Sequence, residues 1–211
     1  MEANLQKYNQ KRDFNATPEP SDQTVTFDWA KGQPFFVIQK HEASTLHYDF
    51  RIEVDGVLKS WAVPKGPSTD PSVKRLAVPT EDHPLAYADF EGVIPEGEYG
   101  GGTVMIWDRG PYRNLKISED GAVEKTVAQQ VDDGHGTIWL EGQKIRGGYA
   151  LIRTGTGRKA RWLLIKMDDG EANPRQNPIS TENLSVKTGR TMEEIRQSGE
   201  ILTNKEENHG D

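Results

Sequence analysis

Between residues 46 and 53 apolar and polar side chains alternate without a break: Leu46, Tyr48, Phe50 and Ile52 on one side, His47, Asp49, Arg51 and Glu53 on the other. Successive side chains of a strand point to opposite faces, so the pattern predicts a strand over Leu46 to Val54 with its apolar face on a core. Similar short runs, separated by Gly, Pro and Asp, predict strands at Phe35 to Gln39, Val57 to Val63, Arg75 to Val78, Thr103 to Trp107, Gly136 to Glu141, Tyr149 to Arg153 and Ala160 to Met167. Asp55-Gly56 predicts a two-residue hairpin, because a type I′ turn needs positive φ at both central positions. Gly155-Thr156-Gly157 with Arg158 and Lys159 joins the last two runs in a similar way. One helix is predicted over Glu119 to Val131, where Val123, Val127 and Val131 recur at i+4 and Asp132-Asp133-Gly134 supplies a stop, and a short one near Thr191 to Gln197. Many short strands and few helices predict a mostly β fold: an antiparallel eight-stranded β-barrel with one or two short helices and extended terminal segments.

Three regions follow. Residues 1–27 have turn formers and no periodicity and read as an N-terminal arm packing on the barrel; residues 28–168 hold the barrel; residues 169–211 read as an acidic C-terminal tail, solvated and docked at most in places. The 211 residues suffice for one domain with a real core, and no run approaches the ~18 apolar residues of a membrane span. With no basic-then-apolar N-terminal pattern either, a cytoplasmic monomer with no membrane association is expected. Absence of cysteine excludes disulfides, thiolate metal sites and cysteine nucleophiles, so a metal must sit on His, Asp or Glu. A net charge of −7 argues against a nucleic-acid partner, but residues 168–211 carry ten acids against five bases. That tail supplies −5 of the −7, and a local basic patch on the body remains open.

The polar face of the 46–54 strand carries an imidazole, a carboxylate and a guanidinium at i, i+2 and i+4, about 7 Å per step. Such a row on the exposed side of a strand can hold a metal and an anion side by side; an ordinary polar outer face more often carries Lys, Glu and Thr. His41, His47 and His83 all fall within residues 41–83, and two imidazoles with one carboxylate suit a divalent first-row metal such as manganese, iron or zinc. Arg51, Lys59, Lys65, Lys74 and Arg75 lie close in sequence; alone they read as a solvated face, but beside a metal they suit a tetrahedral oxyanion. The Gly-rich stretch 95–103 lacks a Gly-Lys-Ser/Thr ending and reads as a tight connection between close backbones. His135 reads as a helix-capping residue, and Trp61, Trp107, Trp139 and Trp162 as core or sheet-face residues.

Gln39-Lys40-His41, Leu46-His47-Tyr48-Asp49-Phe50-Arg51 and Leu58-Lys59-Ser60-Trp61-Ala62-Val63-Pro64-Lys65-Gly66-Pro67 closely resemble the 3′-phosphoesterase domain of bacterial DNA ligase D. The similarity runs on through Lys74-Arg75-Leu76-Ala77, Glu81-Asp82-His83-Pro84-Leu85, Ile94-Pro95-Glu96-Gly97-Glu98-Tyr99-Gly100 and Trp107-Asp108-Arg109-Gly110, covering roughly residues 8–168. The resemblance implies a β-barrel with a phosphate-binding groove on its outer surface and a manganese-dependent activity on nucleic-acid 3′ ends. A terminal ribonucleotide is trimmed to leave a 3′-phosphate, which is then removed to give a 3′-hydroxyl. By matching position it implies metal ligation by His41, His47 and Asp49, phosphate contacts from Arg51 and His83, and support from Lys65, Arg75, Glu81 and Tyr87. Lys11-Arg12-Asp13-Phe14 and Thr17-Pro18-Glu19-Pro20 also match, which brings Arg12, Asp13 and Glu19 to the groove. No nucleotidyl-transferase or polymerase segment is seen, so a stand-alone form is expected; whether a separate DNA ligase or polymerase works with it is left open.

Two other classes remain. His47-x-Asp49 with a distal His83 is also the order of an iron-oxygenase facial triad, but there the triad faces into the barrel. A non-catalytic module gripping 3′ ends through the same groove is the second alternative.

Overall fold

The computed structural model describes residues 5–21, 25–155 and 160–207, the last eight as backbone only. Nine strands form among the described residues: β1 (Phe35–Glu42), β2 (Leu46–Val54), β3 (Val57–Val63), β4 (Lys74–Pro79), β5 (Gly92–Ile94), β6 (Gly102–Asn114), β7 (His135–Glu141), β8 (Arg146–Thr154) and β9 (Arg161–Lys166). Pairing runs β1-β2-β3-β4-β9-β8-β7-β6 and closes through β6 on β1, antiparallel throughout, with β5 added beside β6. The eight barrel strands are those the alternation predicts. Three-residue β5 is too short to show a period.

The barrel interior is one apolar cluster that includes Phe36, Ile38, Tyr48, Phe50, Ile52, Trp61, Trp107, Leu151, Trp162 and Leu164. A second cluster lies outside the wall and includes Tyr8, Phe35, Val37, Leu58, Tyr87, Phe90, Val104 and Ile106. Strand β1 serves both, Phe36 and Ile38 inward and Phe35 and Val37 outward, which explains its unbroken apolar run. The outer cluster is covered by the N-terminal arm, with helix α1 (Gln6–Gln10), and by a 3-10 turn at Leu85–Asp89.

Asp55 and Gly56 have φ of 50° and 82°, as the hairpin requires. Between Ile38 and Gln39 the β1–β6 register shifts, so Trp107 is an extra residue, a β-bulge beside the site described below. Gly102, at φ 141°, has no room for a Cβ against the Glu42 carbonyl, so the Gly-rich stretch is a close backbone approach.

Three expectations are corrected. Helix α2 spans only Val127–Asp133: Thr126 caps it by accepting from Gln129 N–H, while upstream Ile117 and Val123 bridge around a turn with Gly121 at φ 85°. His135 does not cap; Gly134, left-handed at φ 81°, ends the helix and His135 opens β7, exposed. Beyond residue 168 the chain docks more than a solvated tail: Thr69 donates to the carbonyls of Asn173 and Gln176, Trp107 Nε1 to that of Glu182, and Ile195 is buried. After α3 (Pro178–Thr181) the second predicted helix appears as α4 (Met192–Glu207), with Thr191 accepting from Glu194 N–H at its start. The expected turn at 156–159 lies outside the described residues. No helix among the described residues is long and apolar enough to cross a membrane.

Candidate active site

The β1–β2 register sets Gln39 opposite Asp49 and His41 opposite His47, on the face turned away from the barrel interior. One nitrogen of each imidazole is committed to a carbonyl, which can only accept. His41 Nε2–H donates to Gly100 O at 2.8 Å and His47 Nδ1–H donates to Thr45 O at 2.8 Å. The lone pairs of His41 Nδ1 and His47 Nε2 are therefore free, 3.5 and 3.6 Å from the two oxygens of Asp49. All three donor atoms lie within 4.8 Å of one another. Bonds of about 2.0–2.2 Å to one ion hold neighbouring donors roughly 3–3.5 Å apart, so the set fits a divalent metal with little movement, and the two carbonyls act as outer partners that fix ring orientation. Burial pushes the Asp49 carboxyl up, but Arg51, His41 and His47 together more than reverse this and hold it well below the usual carboxylate range.

The Arg51 fork is held by two hydrogen bonds and packed on its other sides. Its Nε donates to Gln39 Oε1 at 2.8 Å, its Nη2 to Asp49 Oδ2 at 3.0 Å, and its Nη1 lies 3.0 Å from His83 Nδ1, with the Tyr87 ring beneath at 4.9 Å. Gln39 is itself held, donating to the carbonyls of Tyr87 and Phe90 at 3.0 and 2.9 Å. A two-way backbone bridge with Leu58 places His83. Its Nδ1 is 2.8 Å from the Glu81 carbonyl and its Nε2 is 3.4 Å from Arg12 Nη2. A neutral ring protonated on Nδ1 satisfies the carbonyl and lets Nε2 accept from Arg12; Arg51 Nη1 then faces the ring without a hydrogen bond. Burial, then Arg51 and Arg12, lower the His83 pKa well below the ordinary histidine value.

That shift sets a pH dependence. Below roughly pH 6.5 an unfolded histidine takes up a proton that folded His83 refuses, so the unfolded state binds more protons and stability falls as pH falls. Urea unfolding of the metal-free chain should lose about 1.4 kcal/mol per pH unit below that point from this residue. His83→Gln should remove that part of the slope; an unchanged slope contradicts the assignment.

The row was expected to be solvent-facing. It does face away from the barrel core, but Asp49 and Arg51 are only 6% and 3% exposed, because the arm and residues 81–90 cover them. Tyr8 packs its ring 5.1 Å from that of His83 and donates to the Pro20 carbonyl. Arg12 lies over the Tyr8 ring, pairs with Glu19 at 2.8 Å and reaches Glu81 at 3.3 Å; Lys11 bridges Glu81 and the Tyr99 hydroxyl. Burial raises the Glu81 carboxyl, but its own backbone N–H with Lys11 and Arg12 outweighs this and holds it below its ordinary value. Burial, with Glu19 beside it, pushes the Tyr87 phenol well above its ordinary value, so it stays neutral.

The structure thus brings together His41, His47, Asp49, Arg51, His83, Glu81, Tyr87, Arg12 and Glu19. It does not join three others. Asp13 is exposed and accepts from Asn15 N–H in the arm's own turn. Lys65 is exposed just beyond β3 without an ion-pair partner among the described residues. Arg75 shares the face of core residue Ala77, half-buried, with its Nε buried and without a hydrogen-bond partner among the described residues. Tyr8, Lys11, Gln39 and the carbonyls of Thr45 and Gly100 were not anticipated. Two carried a signal: Gln39 is a polar residue on the Phe35, Val37, His41 side of β1, and Lys11 stands beside Arg12 in the matching arm stretch.

The family model of the DNA ligase D 3′-phosphoesterase domain matches residues 39–153. The multifunctional non-homologous end joining protein LigD of Pseudomonas aeruginosa is 52% identical over 202 residues, covering 94% of this chain and 23% of that protein. The multifunctional non-homologous end joining DNA repair protein LigD of Mycobacterium tuberculosis is 47% identical over 165 residues, 77% of this chain and 20% of that protein. That of Mycolicibacterium smegmatis is 43% identical over 167 residues, 78% and 21%. The chain therefore spans less than a quarter of the length of these relatives. With the match to the family model extending over more than half its length, the chain belongs to the DNA ligase D 3′-phosphoesterase domain family.

Proposed function

We propose that the protein is a manganese-dependent 3′-end-healing phosphoesterase acting on DNA or RNA ends in end-joining repair. The observation that carries this reading is the convergence of two free imidazole lone pairs and Asp49 beside a guanidinium held in one orientation. In the first step water adds to the phosphorus of the last phosphodiester, the P–O5′ bond breaks and the terminal ribonucleoside leaves with a proton on O5′. The strand keeps a 3′-phosphate. In the second step water adds again, P–O3′ breaks and inorganic phosphate leaves a 3′-hydroxyl.

His41, His47 and Asp49 would hold the cation, which would supply positive charge beside the phosphate and favour ionisation of water. Arg51, already oriented by Gln39 and Asp49, meets charge developing at phosphorus without reorganising, the main source of rate in phosphoryl transfer. Charge balance favours an anion: Lys11, Arg12 and Arg51 match Glu19, Asp49 and Glu81, so a divalent cation leaves an excess of two that a phosphate offsets. Burial, with Arg51 and Arg12, keeps His83 neutral; the phosphate would partly offset those two charges and raise the proton affinity of the ring.

An oxygenase needs a triad facing an open cavity, whereas this one lies under two guanidiniums on the outer wall. The test is a labelled primer-template ending in one ribonucleotide, with and without manganese. Product loss by one nucleoside to a 3′-phosphate and then to a 3′-hydroxyl is expected; binding without cleavage would make it an end-gripping module. Lys65, exposed just beyond β3, is assigned to the monoester, which carries up to one more negative charge than the diester; Arg75, on the core-facing side of β4 with Ala77, is given no part in it. Lys65→Ala should slow phosphate removal about tenfold more than ribonucleoside removal; equal losses in the two single-turnover rates count against this division.

A further inference from the structure

We infer that the outer face of β4 and β9 is the track for the nucleic-acid strand leading to the reacting phosphate. The inference rests on the phosphoesterase reading and adds where the substrate lies.

The register carries the site's outward row directly onto this face: Asp49 lies opposite Ala62, and Ala62 opposite Val78. Beyond them Leu76 lies opposite Leu163 and Lys74 opposite Ile165. The alternate residues Ala77, Trp162 and Leu164 fill the barrel, so Leu76, Val78, Leu163 and Ile165 form an outward apolar floor. Leu76 and Val78 are 36% and 38% exposed, although the corresponding outer face of β1 is fully covered. Val78 stands two strands from Asp49, about 10 Å, the reach of one nucleoside. Lys74 and Arg161, exposed on the same face, have no ion-pair partner among the described residues. An apolar floor with a cation at each end, Lys74 beside Ile165 and Arg161 beside Val78, matches a single strand, whose bases are apolar and whose backbone is anionic.

The other exits from the metal cluster do not suit a strand. The arm closes one side through Arg12, Glu19 and Lys11. Behind Gly100 a groove of about 1400 Å³ is lined by Glu42, Asp89, Glu91, Glu96 and Glu98, and its Arg190 and Arg196 are paired with Glu91 and Glu42. Carboxylates there repel a polyanion.

The test uses the full chain and three variants. Val78→Asp places a charge on the floor, Lys74→Ala with Arg161→Ala removes the two end cations, and Val123→Asp, at a site 59% exposed on a distant turn, is the control. Binding of a fluorescent strand ending in a 3′-phosphate is followed by anisotropy without metal, and manganese-dependent turnover is measured on that strand and on methyl p-nitrophenyl phosphate. Val78→Asp should weaken strand binding and raise its KM about tenfold while leaving the small diester unchanged. The double variant should reduce the slope of log K against log salt by about 1.4, near 0.7 per lost contact. Unchanged strand binding and salt slope, or equal losses on the strand and the small diester, would overturn the track. If the unaltered chain hydrolyses neither substrate, the phosphoesterase reading fails, and the anisotropy data still decide the track.

Discussion

His47→Ala is expected to abolish both hydrolytic steps, with single-turnover rates at least about a thousandfold below those of the unaltered chain. The ring is the most accessible of the three proposed ligands, its side chain 22% exposed, and its Nδ1 binds only the neighbouring Thr45 carbonyl. Its removal should therefore leave the fold intact. What goes is one nitrogen donor, so manganese affinity should fall with the rate, and raising the metal concentration should restore part of the activity. Unchanged manganese affinity in a folded His47→Ala protein would remove this residue from the metal site. His47→Gln, which keeps polarity without an imidazole, should behave like the alanine variant.

Arg51→Ala should lose both activity and stability, by separable routes. The guanidinium is the main charge holding buried Asp49 ionised, and it occupies the Gln39 carbonyl oxygen. Breaking a buried pair from one side costs about 3–5 kcal/mol, which for a chain of this size lowers Tm by roughly 10 °C in chelator. Manganese should recover more stability in the variant than in the unaltered chain, because the cation then supplies the charge Asp49 has lost. Activity should stay down about 10²–10³-fold even with metal, since nothing replaces the fork on the phosphate. Arg51→Lys separates the two effects. A point charge restores part of the stability but cannot meet Gln39, Asp49 and the substrate in one plane, so the rate should remain low. A fully active Arg51→Lys protein would contradict the role assigned to the fork.

Much of this architecture is local, and local patterns are what the sequence displays. The alternation from Leu46 to Val54 identifies the metal-bearing strand and its core-facing side, and Asp55-Gly56 fixes its hairpin partner. His41 joins His47 through a three-residue connection after Glu42, so near neighbours in sequence become cross-strand partners. What periodicity does not show is the covering layer, which only the resemblance of the 11–14 and 17–20 stretches brings to the groove. Tyr8, Arg12 and Glu19 come from a segment without periodicity, and their partners, His83 and Glu81, lie about 70 residues away. An exposed polar row and a buried one look identical in sequence; only the cover differs. Gln39 shows the same limit, since its role depends on the carbonyls of Tyr87 and Phe90 and on Arg51 at once. The docked C-terminal segment depends on Glu91, a carboxylate almost fully buried that collects Ile106 N–H, Ser185, Thr188 and Arg190. Nothing in its local sequence sets it apart from a surface acid.

The most direct measurement of the central claim is nitrogen hyperfine spectroscopy on the manganese-loaded chain with histidine labelled with ¹⁵N at either Nδ1 or Nε2. Because the carbonyls of Gly100 and Thr45 each occupy one nitrogen, the δ1 label should give one coupled nitrogen that disappears in His41→Ala. The ε2 label should give one that disappears in His47→Ala. Couplings from the same ring position in both residues, or from neither, would show that the cation does not sit where these two rings and Asp49 converge.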